Sequence, residues 1–474
     1  MTARRIGLWL GPLAFIAVWL VPASGGLAPE AQRLAAVAVW MAVWWTSEAV
    51  PIPATALLPI VTFPLLGIMP VSKVTASYAH HLVFLFMGGF MIAATMERWD
   101  LHRRIALHVI CRSGGGAPGL VLGFMLATAV LSMWISNTAA TMMMVTIGLA
   151  VLSQLIPSDE TGQHPLGTAL MLSIAYAASI GGVATLIGTP PNAILAGVLE
   201  QSYGIEVSFT SWMLFALPLS VVMLFLTWWY LTRQAFALRT VALPDAKQEI
   251  TRQLDQLGIM RVPERRIAIV FATVALLWVV HGLINWEPIA AIKDSTIAIA
   301  GALVLFALPA GGGNEGALLD WKTAVRIPWD IIILFGGGFA LAAGFGDTGL
   351  TVWLAEQLRV LQGAPELIVL LAVGLLVIFL TEVTSNTATA SLLLPVLGAL
   401  GLAIGMPPLL LMVSAALCAS FAFMLPVATP PNAIVFGSHR VRISQMMRAG
   451  LWLNLVGVLL ITLFVYLRGA AIGG

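Results

Sequence analysis

The sequence predicts an all-α polytopic membrane protein, with about eleven transmembrane helices and two opposed re-entrant hairpins in an inverted repeat. Three observations carry that prediction. Hydrophobic residues fill 60% of the 474 positions and charged residues only 9%, against roughly 25% in a soluble domain. Apolar runs long enough to cross a bilayer recur along the chain. Two further runs have polar centres, and the same short motifs mark both halves. A chain this poor in charge would expose too much apolar surface to stay in solution. A soluble enzyme, a nucleic-acid binder and a disordered scaffold are therefore excluded. The net charge of +2 matters less than its placement.

The stretch up to Pro29 mimics a secretory signal, with Arg4-Arg5, an apolar run and then Pro22-Ala-Ser-Gly-Gly. It is read as a retained first spanning helix. Spanning runs lie at 6–22, 31–47, 53–68, 79–96, 167–199, 211–235, 265–284, 295–309, 329–344, 405–437 and 449–467. The stretches 117–152 and 366–402 are broken at their centres and read as hairpins that enter and leave on one side. With that topology, 18 of the 23 Lys and Arg fall on the cytoplasmic segments. The split places the N-terminus inside, in the plasma (inner) membrane. If only one hairpin crossed fully, the later basic loops would land outside.

The parts then follow in order. Residues 1–116 are scaffold helices. Residues 117–237 hold the first hairpin, an interrupted helix and the helix after it. The polar stretch 238–262 is a cytoplasmic linker. Residues 263–365 are the second scaffold set, and 366–474 hold the second hairpin, interrupted helix and last helix. Gly114-Gly-Gly and Gly311-Gly-Gly read as loops between elements. Cys111 and Cys418 imply no disulfide framework. No lysine follows a glycine, so no Walker A loop is present. There is no HExxH, GxSxG or CxxC, and no enzyme is expected.

The halves repeat. Phe86-Met-Gly-Gly-Phe90 matches Phe335-Gly-Gly-Gly-Phe339, and Ser136-Asn137-Thr138 matches Ser385-Asn386-Thr387, both 249 residues apart. Thr189-Pro-Pro-Asn-Ala-Ile194 matches Thr429-Pro-Pro-Asn-Ala-Ile434, 240 apart. The topology runs 79–96 inward and 329–344 outward, so the repeat is inverted. Inverted repeats with interrupted helices mark secondary transporters, with a substrate site near the midplane.

Serine and asparagine are strong N-caps. At each hairpin tip they end one half-helix and begin the next, whose free N–H groups and positive dipole end suit an anion. The hydroxyls and amide oxygens suit a hard cation. Thr-Pro-Pro-Asn breaks a spanning helix by removing backbone donors, which frees carbonyls such as those of Gly188 and Ala428. Such irregular backbone is tolerated at membrane depth where it lines a cavity or is buried in protein. A lone Ser-Asn-Thr would read as interhelical glue; two copies in inverted halves do not. Neither tip carries Arg or Lys, so an anionic ligand requires bound cations. Moving it inward against the membrane potential costs about 2.3 kcal/mol per charge per 100 mV.

Glu382, four residues before Asn386, has only Met133 as its counterpart. It is either a functional intramembrane carboxylate or a brace for the hairpin. Glu48 reads as structural. His80-His81 sit at a membrane boundary and read as interfacial rather than metal-binding. The methionines Met142-Met-Met144 read as packing.

At these residues the chain resembles the divalent anion–sodium symporter family, the sodium:dicarboxylate and sodium:sulfate symporters. Paired Ser-Asn-Thr and Thr-Pro-Pro-Asn motifs are that family's pattern. The run Ala419-Ser-Phe-Ala-Phe-Met-Leu-Pro-Val-Ala-Thr-Pro-Pro-Asn-Ala-Ile-Val435 and the N-terminal Trp-Trp-Thr-Ser-Glu-Ala-Val-Pro are similar to its diagnostic stretches. The resemblance implies eleven spans, a homodimer and an elevator motion. It implies one Na+ site at Ser132, Ser136, Asn137 and the Gly188 carbonyl. A second would use Thr381, Thr384, Asn386 and the Ala428 carbonyl. Substrate carboxylates would meet Asn137, Thr138, Asn386 and Thr387, with Pro190 and Pro430 lining the site. Relatives often carry a smaller residue at Thr384. The threonine in both tips goes with C4-dicarboxylates such as succinate, malate and fumarate. The implied function is sodium-coupled dicarboxylate uptake. A sodium-independent dicarboxylate exchanger, a sodium:sulfate symporter and, in another class, an anion channel stay open.

Overall fold

The computed structural model describes residues 3–21, 26–113, 116–155, 164–238, 246–283 and 292–468. Residues 22–25 of the signal-like stretch, Gly114 and Gly115 of the first glycine run, and linker residues 239–245 lie outside them. The described chain is almost wholly helical, because a bilayer offers no water to satisfy an open backbone.

The first half opens with α1 (Ala3–Leu20) packed along α2 (Pro29–Ser47). The expected span 53–68 is instead two short helices, α3 (Ile52–Thr55) and α4 (Leu58–Leu65). Pro53 and Pro59 each sit in a first turn, where a missing N–H is tolerated, and so divide the run. Next come α5 (Val71–Tyr78), α6 (His81–Arg98) and α7 (Leu101–Arg112). The first hairpin is α8 (Gly116–Ser132) and α9 (Asn137–Leu155). The broken span is α10 (Pro165–Val183) and α11 (Pro190–Tyr203). Last is α12 (Phe209–Trp229), which continues as a π-helical turn to Ala235.

The linker carries a helix of its own, α13 (Ala246–Gln256), which packs on α7 and α9. Arg104 of α7 pins the turn behind it, donating to the Gly258 carbonyl at 2.9 Å and to buried Glu264 at 3.0 Å.

The second half begins with α14 (Val262–Leu283) and α15 (Asp294–Ala307). The strands β1 (Pro309–Gly311) and β2 (Asn314–Ala317) pair antiparallel. Gly311-Gly-Gly, read as a plain loop, forms their turn at φ of 73°, 64° and 86°, a region glycine enters freely. Then come α16 (Trp321–Ala324), α17 (Trp329–Asp347) and α18 (Leu350–Gln357). The second hairpin is α19 (Glu366–Thr381) and α20 (Asn386–Ile404). The second broken span is α21 (Pro408–Ser420) and α22 (Pro430–Gly437), followed by α23 (Ile443–Arg468).

Among the described residues, eight helices are long and apolar enough to cross a membrane. The count is nine if Leu350–Leu361 and Glu366–Thr381, bent by 116°, form one span. Two of the eight are α9 and α20, the hairpin limbs; of the broken spans α10 is long enough by itself, while α21 is among the shorter apolar helices. Length and apolarity thus do not reproduce the expected eleven.

The repeat is visible in space. Phe86 and Phe335 hold matching positions, and their rings touch edge-on with centroids 4.7 Å apart. A residue meets its own counterpart only near the axis relating the halves. The motif glycines allow close crossings, as small residues do in membranes. A Cβ on Gly88 would lie 2.7 Å from the Ala298 backbone, and one on Gly337 would lie 2.7 Å from Ala56 Cβ. Ion pairs sort with the predicted sides. Arg98–Asp320, Arg104–Glu264 and Arg261–Asp100 join residues of one side, and Lys73–Asp347 and Lys293–Glu206 join residues of the other.

Candidate functional site

Each hairpin packs on the first helix of its own broken span, α8 on α10 and both α19 and α20 on α21. Past the break the chain crosses over: α11 packs on α20 and α21, and α22 on α9 and α10. The two polar breaks of each half therefore meet, and each half closes against the other.

In the first half the side chains of Ser132 and Asn137 touch, and Ser132 Oγ donates to the Ala178 carbonyl at 2.8 Å. Turned one way, the Asn137 amide presents its oxygen to this group. Turned the other way, its nitrogen donates to the Ala178 and Gly188 carbonyls, each 3.2 Å away. Four oxygen-bearing groups thus converge where either an amide proton or a cation must balance them. Hard cations take such all-oxygen sets, so the residues fit Na+ as a transported ion. Gly182 makes room for the junction. A Cβ there would lie 2.6 Å from Asn137 Oδ1 and 2.9 Å from the Gly188 carbonyl. Ser136 Oγ instead caps α9, accepting from the Ala139 N–H at 3.2 Å.

The second half repeats the design. Thr381 Oγ1 lies 2.6 Å from Asn386 Oδ1 and 3.0 Å from the Ala419 carbonyl. The Thr384 hydroxyl turns into its own hairpin, bonding the Leu380 carbonyl and Thr389 Oγ1 at 2.8 and 2.7 Å. Ala428 is buried, but among the described residues no hydrogen bond ties it to Asn386 as Gly188 is tied to Asn137. Ser385 starts α20 without a side-chain cap, in contrast to Ser136. At the breaks the contrast reverses: Thr429 caps α22 and Thr189 leaves α11 uncapped. Thr387 is buried, Thr138 and Pro190 are half-buried, and Pro430 is exposed.

The breaks are held open by paired asparagines. Asn192 Nδ2 donates to the Val183 and Thr185 carbonyls at 3.1 and 2.8 Å. Asn432 Nδ2 donates to those of Ala422 and Leu425, both at 3.0 Å. Thr185 Oγ1 ties the first break to the first hairpin through the Met133 carbonyl at 2.6 Å.

Glu382 does the corresponding work in the second half. Its carboxylate accepts from the backbone N–H of Phe423, Met424 and Leu425 at 2.7, 2.9 and 3.0 Å. Asn454 of α23 donates to it at 2.7 Å. Of its two readings, the brace matches this geometry. The tips also differ in cover. Trp134 packs against Phe209, Phe271 and Trp278, whereas Val383, its counterpart, is 62% exposed.

Sequence reasoning missed the Ala178 and Ala419 carbonyls, because a carbonyl has no residue signature. The Ala178-Ser179 and Ala419-Ser420 pairs, 241 residues apart, were the available signal. Asn192 and Asn432 stood inside a quoted motif, but their bracing role needed the fold.

Comparison with known proteins agrees with this architecture. Over all of both chains, the crystal structure of the Alcanivorax borkumensis YdaH transporter, described as having an unusual topology, superposes with a TM-score of 0.60 at 15% identity. The Neisseria gonorrhoeae MtrF structure gives 0.57 at 15% identity, covering 98% of this chain and 94% of that one. These likenesses concern the fold alone. In sequence, the sodium-dependent dicarboxylate transporter SdcS of Staphylococcus saprophyticus is 42% identical over 98% of this chain and 91% of its own. Its namesake from Staphylococcus aureus (strain bovine RF122) is 44% identical over the same shares. The family described as the sodium:sulfate symporter transmembrane region matches residues 4–473. On that match and those identities, this multi-pass membrane protein, a transporter and not an enzyme, belongs to the sodium:sulfate symporter family.

Proposed function

We propose that the chain carries C4-dicarboxylates such as succinate, malate and fumarate across the plasma membrane, coupled to inward Na+ movement. The observation that carries this reading is the pair of matching oxygen junctions, Ser132–Asn137–Gly188 and Thr381–Asn386, one in each half. The relatives at 42–44% identity, named as sodium-dependent dicarboxylate transporters, support it. Each tip offers helix N-terminal donors to one carboxylate of a dianion, through Asn137 and Thr138 on one side and Asn386 and Thr387 on the other. Pro190 and Pro430 open the second pair of half-helices toward the same centre. No lysine or arginine lies in either tip, so bound Na+ supplies the positive charge. Ser132, Ser136, Asn137 and the Gly188 carbonyl serve the first ion. Thr381, Asn386, the Ala428 carbonyl and the backbone oxygen of Thr384, whose hydroxyl is engaged within its own hairpin, serve the second.

The reading includes a homodimer with the N-terminus cytoplasmic. It also includes an elevator motion in which 117–237 and 366–474 move against 1–116 and 263–365. The test is uptake of labelled succinate into proteoliposomes with an inward Na+ gradient, then with choline in its place. Uptake only with Na+ supports symport. Equal uptake in choline with dicarboxylate loaded inside identifies an exchanger. Sulfate competing as well as fumarate would move the substrate to sulfate.

A further inference from the structure

We infer that His80, His81 and Glu200 form a binding site for a divalent transition-metal cation of the zinc type, apart from the oxygen junctions. His80 caps α6 and His81 begins it, with ring centroids 4.6 Å apart. Glu200 arrives from the far end of α11. Its Oε2 lies 2.7 Å from His81 Nε2 and 3.6 Å from His80 Nε2. One ligand atom from each residue falls within 4.8 Å of the others. Zinc bonds of about 2.0–2.1 Å in a tetrahedron hold ligand atoms roughly 3.4 Å apart. These spacings therefore close on an ion with small side-chain shifts.

The donor set selects the ion. Two imidazole nitrogens and one carboxylate suit zinc and its neighbours, whereas Na+ and Mg2+ take oxygen. All three residues are half-buried, which leaves a fourth position open to water, as in three-ligand zinc sites. Phe339 of α17 packs on His80, ring centroids 5.0 Å apart, and so holds that ring. The cost is two interactions. The His81 Nε2–Glu200 hydrogen bond at 2.7 Å is replaced by the metal bonds, and His80 Nδ1 loses the long bond it accepts from the Leu82 N–H at 3.4 Å. The latter is given up when His80 Nε2 binds metal, because Nδ1 then carries the proton. The nearby cation Lys293 is already paired with Glu206.

Adjacent histidines at a membrane boundary are a weak metal signal alone. The third ligand lies 119 residues away, and only the fold supplies it. The site faces the side that the charge split assigns to the exterior, and a bound ion ties α11 to α6.

The test uses the purified full-length protein and Zn2+, and no readout depends on transport. Equilibrium dialysis with metal analysis, and thermal unfolding with and without Zn2+, are run on the wild type, His81→Gln, Glu200→Gln and His281→Gln. His281 belongs to a separate histidine–carboxylate pair, with Asp294. The expected result is one Zn2+ per wild-type chain and a raised Tm. Affinity should fall at least tenfold in His81→Gln and in Glu200→Gln and stay unchanged in His281→Gln. If Glu200→Gln does not fold, His81→Gln carries the test. A wild type that binds no Zn2+, or equal binding in His81→Gln, overturns the proposal.

Discussion

At the scale of single residues, the junction around Asn137 is set by space as much as by chemistry. Gly182 carries no side chain because a Cβ would press on Asn137 Oδ1 and the Gly188 carbonyl. Gly182→Ala should therefore fold but misplace the oxygens by several tenths of an ångström. On the proposed reading, the Na+ concentration for half-maximal uptake should rise at least tenfold, measured in proteoliposomes. An unchanged Na+ dependence would remove Asn137 and Gly188 from the ion site. Glu382 makes a different prediction. Its carboxylate only accepts, and four donors face it. Glu382→Gln sets an amide NH2 against one of them. Bonds to a charged group are worth about 1.5–3 kcal/mol each, so the variant should lose about 3 kcal/mol of stability. Thermal melting in detergent checks this, and a melt like the wild type's would end the bracing role. By residue type only the Ser-Asn-Thr tips, with Asn137 and Asn386, announce themselves in the sequence, whereas Ser132 and Thr381 enter through the family resemblance alone. Ala178 and Ala419 act through carbonyls, and Thr384 points away from the junction for a reason of local geometry.

At the scale of elements, polarity hides structure inside a segment. Residues 238–262 read as a cytoplasmic linker, and within them α13 packs on α7 and α9. Its anchor is the Arg104–Glu264 pair, with both side chains nearly buried. Breaking one partner of a buried pair costs about 3–5 kcal/mol because the other charge is left unpaired. Arg104→Met should lose somewhat less than that, because the Arg261 N–H still donates to Glu264 at 2.9 Å and the Arg261 guanidinium lies 3.8 Å away. It should also expose the 246–262 segment to protease. Arg104→Met with Glu264→Met should recover most of the loss. Equal instability of single and double variants would show that arginine's bonds to the turn carbonyls matter more than the charge pair. The hairpins and broken helices were legible because proline and the Ser-Asn-Thr motif leave type-specific marks in apolar runs. The split of 53–68 was marked by prolines too, but apolarity masked them.

At the scale of the whole molecule, the inverted repeat was legible from three motif pairs at matched spacing, and the Phe86–Phe335 contact gives it a physical axis. The crossing-over was not legible. That α11 packs on the second hairpin and α22 on the first depends on which helices meet, and hydrophobic patterning does not encode partners in a bilayer. This exchange ties both hairpins and both broken spans into one block, while α17 lies against α20 at its edge. If that block moves as an elevator, the α17–α20 contact must slide. Gly338 and Ser391 mark it: a Cβ on Gly338 would lie 3.3 Å from Ser391 Cβ, close to the about 3.5–4.5 Å of a disulfide. Gly338→Cys with Ser391→Cys, in a chain with Cys111 and Cys418 replaced by serine and alanine, should cross-link on mild oxidation. The oxidised protein should keep its substrate-induced thermal shift, lose uptake and regain it with reductant. Uptake at the wild-type rate with the cross-link fully formed would mean that the two helices need not slide, and the elevator would give way to a gating motion within the tips.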